Sequence, residues 1–169
     1  GSIIGLIFYI LLLAIKTKQL MYYSYCLLGI CNLLTILIHQ RIPEPIIALF
    51  SQEFITDLSL VMPIFISAAI TQYIIVFTEA YKFKKTITKL LLIYIATIFV
   101  IAALFLFGAP IKNILPAFSI ANIIATFAML YLCFSQNKFP RSVIAMLVIG
   151  ISMPSLSGII TLTLALTSI

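Results

Sequence analysis

The sequence contains few charged residues, a single histidine and no tryptophan. Only 8% of its 169 residues are charged, whereas 64% are hydrophobic. So little polar surface cannot solvate a globular domain, and this excludes a water-soluble fold. His39 is the one histidine, which removes any HExxH motif and any multi-histidine metal site. We therefore expect no catalytic residue, no metal ligand and no cofactor-binding residue in this region.

The spacing of the three cysteines and the distribution of the net charge of +6 indicate neither a CxxC site nor a nucleic-acid-binding protein. Cys26, Cys31 and Cys133 all lie within apolar runs and form no CxxC pair, so we interpret them as small buried hydrophobic residues. The basic residues lie in short stretches beside apolar runs, without any nucleic-acid motif. Nucleic acid is therefore not an expected partner.

Six long apolar runs dominate the chain. A helix needs about 20 apolar residues to cross about 30 Å of hydrocarbon. The sequence thus predicts an all-α, polytopic membrane helix bundle that covers residues 1–169 as one unit. The predicted helices cover residues 3–15, 20–38, 58–78, 90–107, 114–134 and 142–168.

The first run is short, with 13 residues before Lys16, or about 20 Å of helix. We therefore expect this helix to be longer in the parent protein. A seventh helix after Ile169 would place the C-terminus on the same side of the membrane as the first gap between the apolar runs. The fragment is thus expected to hold most of a seven-helix bundle.

Basic residues alternate between the gaps that separate these runs. Short loops rich in Lys and Arg stay on the cytoplasmic side during insertion. The first, third and fifth gaps should therefore be cytoplasmic and the N-terminus outside. Eight basic residues lie in those three gaps, namely Lys16, Lys18, Lys82, Lys84, Lys85, Lys89, Lys138 and Arg141, against Arg41 and Lys112 in the other two.

The third gap concentrates lysines at helical spacing. Lys82, Lys85 and Lys89 would share one face of a helix that continues out of the third span. We expect them to lie near anionic lipid headgroups, as topology signals and anchors.

Polar residues also occur within the predicted spans. Asn32, Gln72 and Asn122 fall at hydrocarbon depth, where polar groups usually bond to another helix. The alternative is a ligand site or an ion pathway. No Asp, Glu, Lys or Arg lies deep in any predicted span, which disfavours a pump or an ion-coupled transporter.

Two features suggest functional segments. Glu53 and Asp57 are four residues apart in the long outer gap and would face the same way on a short helix after Pro45. They can contact an outer ligand or partner, or simply form a solvated loop end. Pro154 lies within the sixth span among serines and glycines, which predicts a kink that either transmits a signal or only serves helix packing. Pro63 and Pro116 are expected in the first turns of their helices.

The order of these features resembles the bacterial seven-transmembrane receptors with diverse intracellular signalling modules. The matching stretches are LLLAIKTKQLMYYSYCLLGICNLLTIL, IIVFTEAYKFKKTITKLLLIYI and SQNKFPRSVIAML. The resemblance is one of pattern and loop length over nearly the whole chain, with no catalytic motif. The seven-helix sensor region of histidine kinases is similar in the same features.

The resemblance implies a non-enzymatic transmembrane sensor. In such receptors an extracytoplasmic sensing domain precedes the first helix and a cytoplasmic signalling domain, such as a kinase or cyclase module, follows the seventh. We expect the chain to couple an outer stimulus to a cytoplasmic output, and we allow for a homodimer. The alternative is a subunit or fragment of a membrane transporter or membrane-embedded enzyme. The ligand and the output module stay unassigned.

Overall fold

The computed structural model describes the backbone of residues 2–39, 52–107, 111–135 and 140–152, and these residues are helical apart from short turns. The chain thus has the predicted all-α fold. We number the helices in chain order as α1 (Ser2–Thr17), α2 (Leu20–His39), α3 (Gln52–Phe77), α4 (Ala80–Phe83), α5 (Lys85–Leu106), α6 (Ile111–Phe134) and α7 (Arg141–Ser152).

Three of the helices are long and apolar enough to cross a membrane. They contain the stretches Leu20–Leu37, Lys85–Phe105 and Pro116–Phe134. Shorter apolar helical stretches occupy Ile4–Thr17, Val61–Phe77 and Arg141–Ser152. Length and composition therefore support a membrane protein.

The chain divides into two compact units, residues 1–69 and 70–169. In the first unit, α1 and α2 form a hairpin joined by Lys18 and Gln19. Lys18 adopts a left-handed conformation, with φ of 54°, and its N–H donates to the carbonyl oxygen of Ala14 at 2.8 Å. This geometry ends α1 and reverses the chain within two residues.

Small residues let α1 and α2 approach closely. Ala14, Ser24 and Cys26 are buried in this unit. A Cβ atom added to Gly29 would lie 3.1 Å from Cγ1 of Ile7, so only glycine fits without movement of that side chain. Close contact through small residues is the usual way in which membrane helices associate.

Prolines lie further inside their helices than the sequence predicted. Pro63 is the twelfth residue of α3 and Pro116 the sixth residue of α6, so the expectation that both lie in first turns is wrong. The reason is that α3 begins at Gln52, six residues before the predicted start, and α6 begins at Ile111. Near Pro63, the Ser67 hydroxyl donates to the Pro63 carbonyl oxygen at 3.1 Å.

In the second unit, α5 and α6 pack as an antiparallel pair. Their buried residues recur at spacings of three and four, which places one continuous stripe of each helix in the contact. The stripe of α5 contains Thr88, Leu91, Tyr94, Ile98 and Ile101, and that of α6 contains Ser119, Asn122, Thr126, Met129 and Cys133.

The distribution of polarity in this pair differs from that of a water-soluble protein. Hydroxyl and amide groups occur among its buried residues, whereas large apolar side chains are exposed. Ile93 of α5 is 67% exposed and Phe127 of α6 is 69% exposed. Exposed apolar surface of this extent needs an apolar environment, such as the interior of a lipid bilayer.

Candidate functional site

The chain reverses between α3 and α5 in a short segment, Thr78–Lys84, which we call the elbow. The Thr78 hydroxyl donates to the carbonyl oxygen of Ile74 at 2.7 Å and is buried at the end of α3. Glu79 then adopts a left-handed conformation, with φ of 50°, and starts the four-residue helix α4. Lys84 breaks the helix again with φ of −126° and ψ of 58°. A second break within six residues redirects the chain into α5.

The break at Lys84 separates Lys82 of α4 from Lys85 and Lys89 of α5. Because α3, α4 and α5 are three helices, the expectation that one continuous helix carries Lys82, Lys85 and Lys89 on one face is wrong. Nζ of Lys82 lies 3.1 Å from Oε1 of Glu79. This hydrogen bond raises the pKa of Lys82.

Lys84 contacts α6 instead. Its Nζ lies 3.5 Å from the hydroxyl oxygen of Tyr131 and 5.6 Å from the centre of the Tyr131 ring. A cation near an aromatic ring at this distance contributes about 0.5 to 1 kcal/mol at an exposed position. The contact ties the start of α5 to the end of α6.

A buried hydrogen bond joins the same two helices further along. The Tyr94 hydroxyl of α5 donates to Oδ1 of Asn122 in α6 at 2.8 Å, and both residues are buried. The Thr126 hydroxyl donates to the backbone oxygen of Asn122 at 2.8 Å. Ser119, one turn before Asn122, is buried with its Oγ unpartnered. Interhelical bonds of this type contribute about 0.6 to 2 kcal/mol in membranes.

The two contacts fix a single register between α5 and α6. Tyr94 lies ten residues after Lys84, the residue that directly precedes α5. Their partners in α6, Asn122 and Tyr131, are nine residues apart in the opposite order. Ten helical residues span about 15 Å. The helix pair therefore connects the elbow with a buried polar contact about 15 Å away.

The three amides predicted to lie between helices differ in their surroundings. Asn122 bonds to Tyr94 of the neighbouring helix. Asn32 is exposed and donates from Nδ2 to the Leu28 carbonyl oxygen of its own helix at 2.9 Å, and no bond from its side chain to another helix is found among the described residues. Gln72 is half-buried in α3.

The other predicted site residues fall wholly or partly outside the described structure. Glu53 and Asp57 belong to the long helix α3 rather than to a separate short helix, and their side chains lie outside the described part. Pro154 lies outside the described residues, as does the segment around Glu44. The predicted outer contact and the predicted kink thus stay predictions.

Sequence reasoning missed Tyr94, the partner of Asn122, and Tyr131, the partner of Lys84. Tyr94 and Tyr131 lie in apolar runs and look like ordinary membrane aromatics. One signal was present in the sequence: Thr88 and Tyr94 share a stripe with apolar neighbours at helical spacing, as Ser119, Asn122 and Thr126 do. Two polar stripes on consecutive helices can be paired when the helices are joined by a short connection.

Among the described residues, no group of three or more His, Cys, Asp or Glu side chains could hold a metal ion. What the α5–α6 pair offers is therefore directional contact between helices and a concentration of positive charge at one end. No protein-family model, curated protein or solved structure matches the chain.

Proposed function

We propose that this chain is the transmembrane region of a signalling receptor, which carries an extracytoplasmic stimulus to a cytoplasmic output module through small shifts of packed helices. The observation that carries the proposal is that one helix pair connects the basic elbow with the buried Tyr94–Asn122 bond. A movement of α6 against α5 at either contact would alter the other, because the helices between them are stiff.

The charge distribution supports an orientation. Lys82, Lys84, Lys85 and Lys89 lie at or beside the elbow, and short basic segments are retained in the cytoplasm. We propose that the elbow is cytoplasmic, that the N-terminus is outside, and that the chain lies in a bacterial cytoplasmic membrane. A sensing domain and a signalling domain of the parent protein would then lie on opposite sides.

The sequence supports signalling over ion-coupled transport, because no Asp, Glu, Lys or Arg lies deep in any predicted span. The described charged side chains, including Lys16, Glu79 and Arg141, lie near helix ends. Moving helices that carry only hydroxyl and amide groups can change contacts without moving charge through the bilayer.

The test is made in the native host with the full-length parent protein. A strain with Tyr94→Phe is compared with wild type, with a deletion, and with Tyr9→Phe, which makes the same chemical change at an exposed tyrosine of α1. We expect the deletion to change a set of transcripts and Tyr94→Phe to shift the same set at an unchanged protein level, while Tyr9→Phe matches wild type. Unchanged transcripts in the deletion, together with altered uptake of a solute, would instead identify a transporter.

A further inference from the structure

Positive charge is concentrated at the first turn of α5. Lys84 precedes the helix, Lys85 is its first residue and Lys89 lies one turn later, while that turn contains no acidic residue. The N-terminus of a helix already carries about half a positive charge from the aligned peptide dipoles, so lysines are normally favoured at the opposite end. This arrangement is unfavourable unless an anion binds there.

No described acid can supply that anion. Glu79 is the one acidic residue whose side chain the structure describes, and it lies 3.1 Å from Lys82. The Glu79–Lys82 pair is neutral overall. Lys84, Lys85 and Lys89 therefore keep their full charge toward an external partner.

The hydrogen-bond donors converge on the same turn. Lys85 and Lys89 are exposed and four residues apart, so they share one face of α5. Lys84 contacts Tyr131 with Nζ, which carries three N–H donors and keeps some for a second acceptor. Thr88 is only 6% exposed and its hydroxyl has no partner. Thr88 lies three residues after Lys85 and one residue before Lys89, so its hydroxyl belongs to the same turn as these lysines.

Apolar surface adjoins this charge. Phe83 is 63% exposed, and Leu92 and Ile93 of α5 are 53% and 67% exposed. A free phosphate ion would gain nothing from these side chains, whereas the acyl chains of a lipid would cover them. The chemistry thus fits a phosphate that is attached to hydrocarbon.

We propose that the first turn of α5 binds the phosphate of one anionic phospholipid, with Lys84, Lys85 and Lys89 as its charged contacts and the Thr88 hydroxyl as a further donor. Lys82 takes no part, because Glu79 already holds it. This site differs from general attraction to a charged surface in having defined residues. This site rests on the proposed function in one respect, which is the membrane leaflet from which the lipid comes.

The test is lipid binding by the full chain, purified in a non-ionic detergent and followed by native mass spectrometry. Phosphatidylglycerol is the anionic probe and phosphatidylcholine the zwitterionic one. We expect preferential retention of phosphatidylglycerol. Each lysine near an anionic lipid strengthens binding about fivefold, so Lys85→Gln/Lys89→Gln should weaken it about 30-fold. Thr88→Val should also weaken it, by about threefold, through loss of one hydrogen bond.

Two control variants separate a site from bulk charge. Lys16→Gln/Lys18→Gln removes two charges from another basic gap, and Glu79→Gln/Lys82→Gln removes the neutral pair as a whole; both should bind as wild type. Equal weakening by Lys16→Gln/Lys18→Gln, or wild-type binding by Lys85→Gln/Lys89→Gln, would overturn the proposal. Displacement of the lipid by an equal concentration of inorganic phosphate would overturn the lipid assignment. Binding in detergent is independent of orientation, so a reversed topology would refute the proposed orientation and leave this site standing.

Discussion

The α1–α2 hairpin and the α5–α6 pair are both antiparallel, but different interactions hold them together. In the hairpin, Gly29 lies so close to Ile7 that an added Cβ would be 3.1 Å away. Its buried residues are small, such as Ala14 and Cys26. In the α5–α6 pair, larger buried residues accompany a directional bond of 2.8 Å between Tyr94 and Asn122.

The two helix pairs should therefore respond differently to substitutions. Apolar side chains gain little by leaving lipid for a helix contact, so membrane helices associate through close packing or through polar bonds. Packing of small residues tolerates no added volume, whereas a polar bond fixes the register and depends on both partners. The hairpin should therefore be sensitive to size and the α5–α6 pair to polarity.

The largest effect is expected for added volume in the hairpin. Gly29→Leu should lower the free energy of unfolding by about 2 kcal/mol, because overpacking forces the helices apart. The control is Gly5→Leu, since no atom lies within 4 Å of the Cβ position there. Unfolding in SDS mixed micelles measures both variants, and equal stabilities would show that close approach at Gly29 does not hold the hairpin.

Loss of the buried bond should have a smaller effect. Tyr94→Phe and Asn122→Leu are each expected to lower the free energy of unfolding by about 1 kcal/mol, since each removes the hydrogen bond between the two helices. The double variant should lose less than the sum, with a coupling of about 0.6 to 1.7 kcal/mol. Thr97→Val is the control, as this exposed hydroxyl bonds within its own helix. Strict additivity in the double-mutant cycle would argue against the bond.

The contact at the elbow should contribute least to stability. Lys84→Gln removes the cation beside the Tyr131 ring and should cost about 0.5 kcal/mol. Lys85→Gln changes the next residue by the same charge and lacks the ring contact, so it should cost less. The same SDS titration compares the two, and a larger loss with Lys85→Gln would contradict the assigned role of Lys84.

The sequence predicted the helices well because long apolar runs leave few other solutions. The predicted starts at Leu20 and ends near Phe134 agree with α2 and α6. Errors arose where the helix signal is weak. The first six residues of α3 are partly polar and were not predicted to be helical. The basic segment after Phe77 was predicted to continue as one helix, whereas the backbone at Glu79 and Lys84 interrupts it. Backbone conformations of this kind have no distinct residue signature without glycine.

The candidate site was only partly accessible to sequence reasoning. Asn122 stood out because an amide in an apolar run needs a partner. The identity of that partner, Tyr94, depends on the register between α5 and α6, which hydrophobic periodicity alone does not define. The pairing of Lys82 with Glu79 depends on the left-handed turn at Glu79. The expected sharing of one face by Lys82, Lys85 and Lys89 failed because the helix breaks at Lys84, between Lys82 and Lys85.

We propose that the basic elbow lies in the cytoplasm and that the gap after α2 lies outside. Cysteine labelling in intact cells tests this orientation, in a variant that lacks Cys26, Cys31 and Cys133. Single cysteines at Lys18, Lys84 and Lys138 probe the basic gaps, and cysteines at Arg41 and Lys112 probe the other two. We predict that a membrane-impermeant maleimide labels Arg41→Cys and Lys112→Cys in intact cells, and labels the other three only after permeabilisation. Labelling of Lys84→Cys in intact cells, with Arg41→Cys protected, would contradict the proposed orientation.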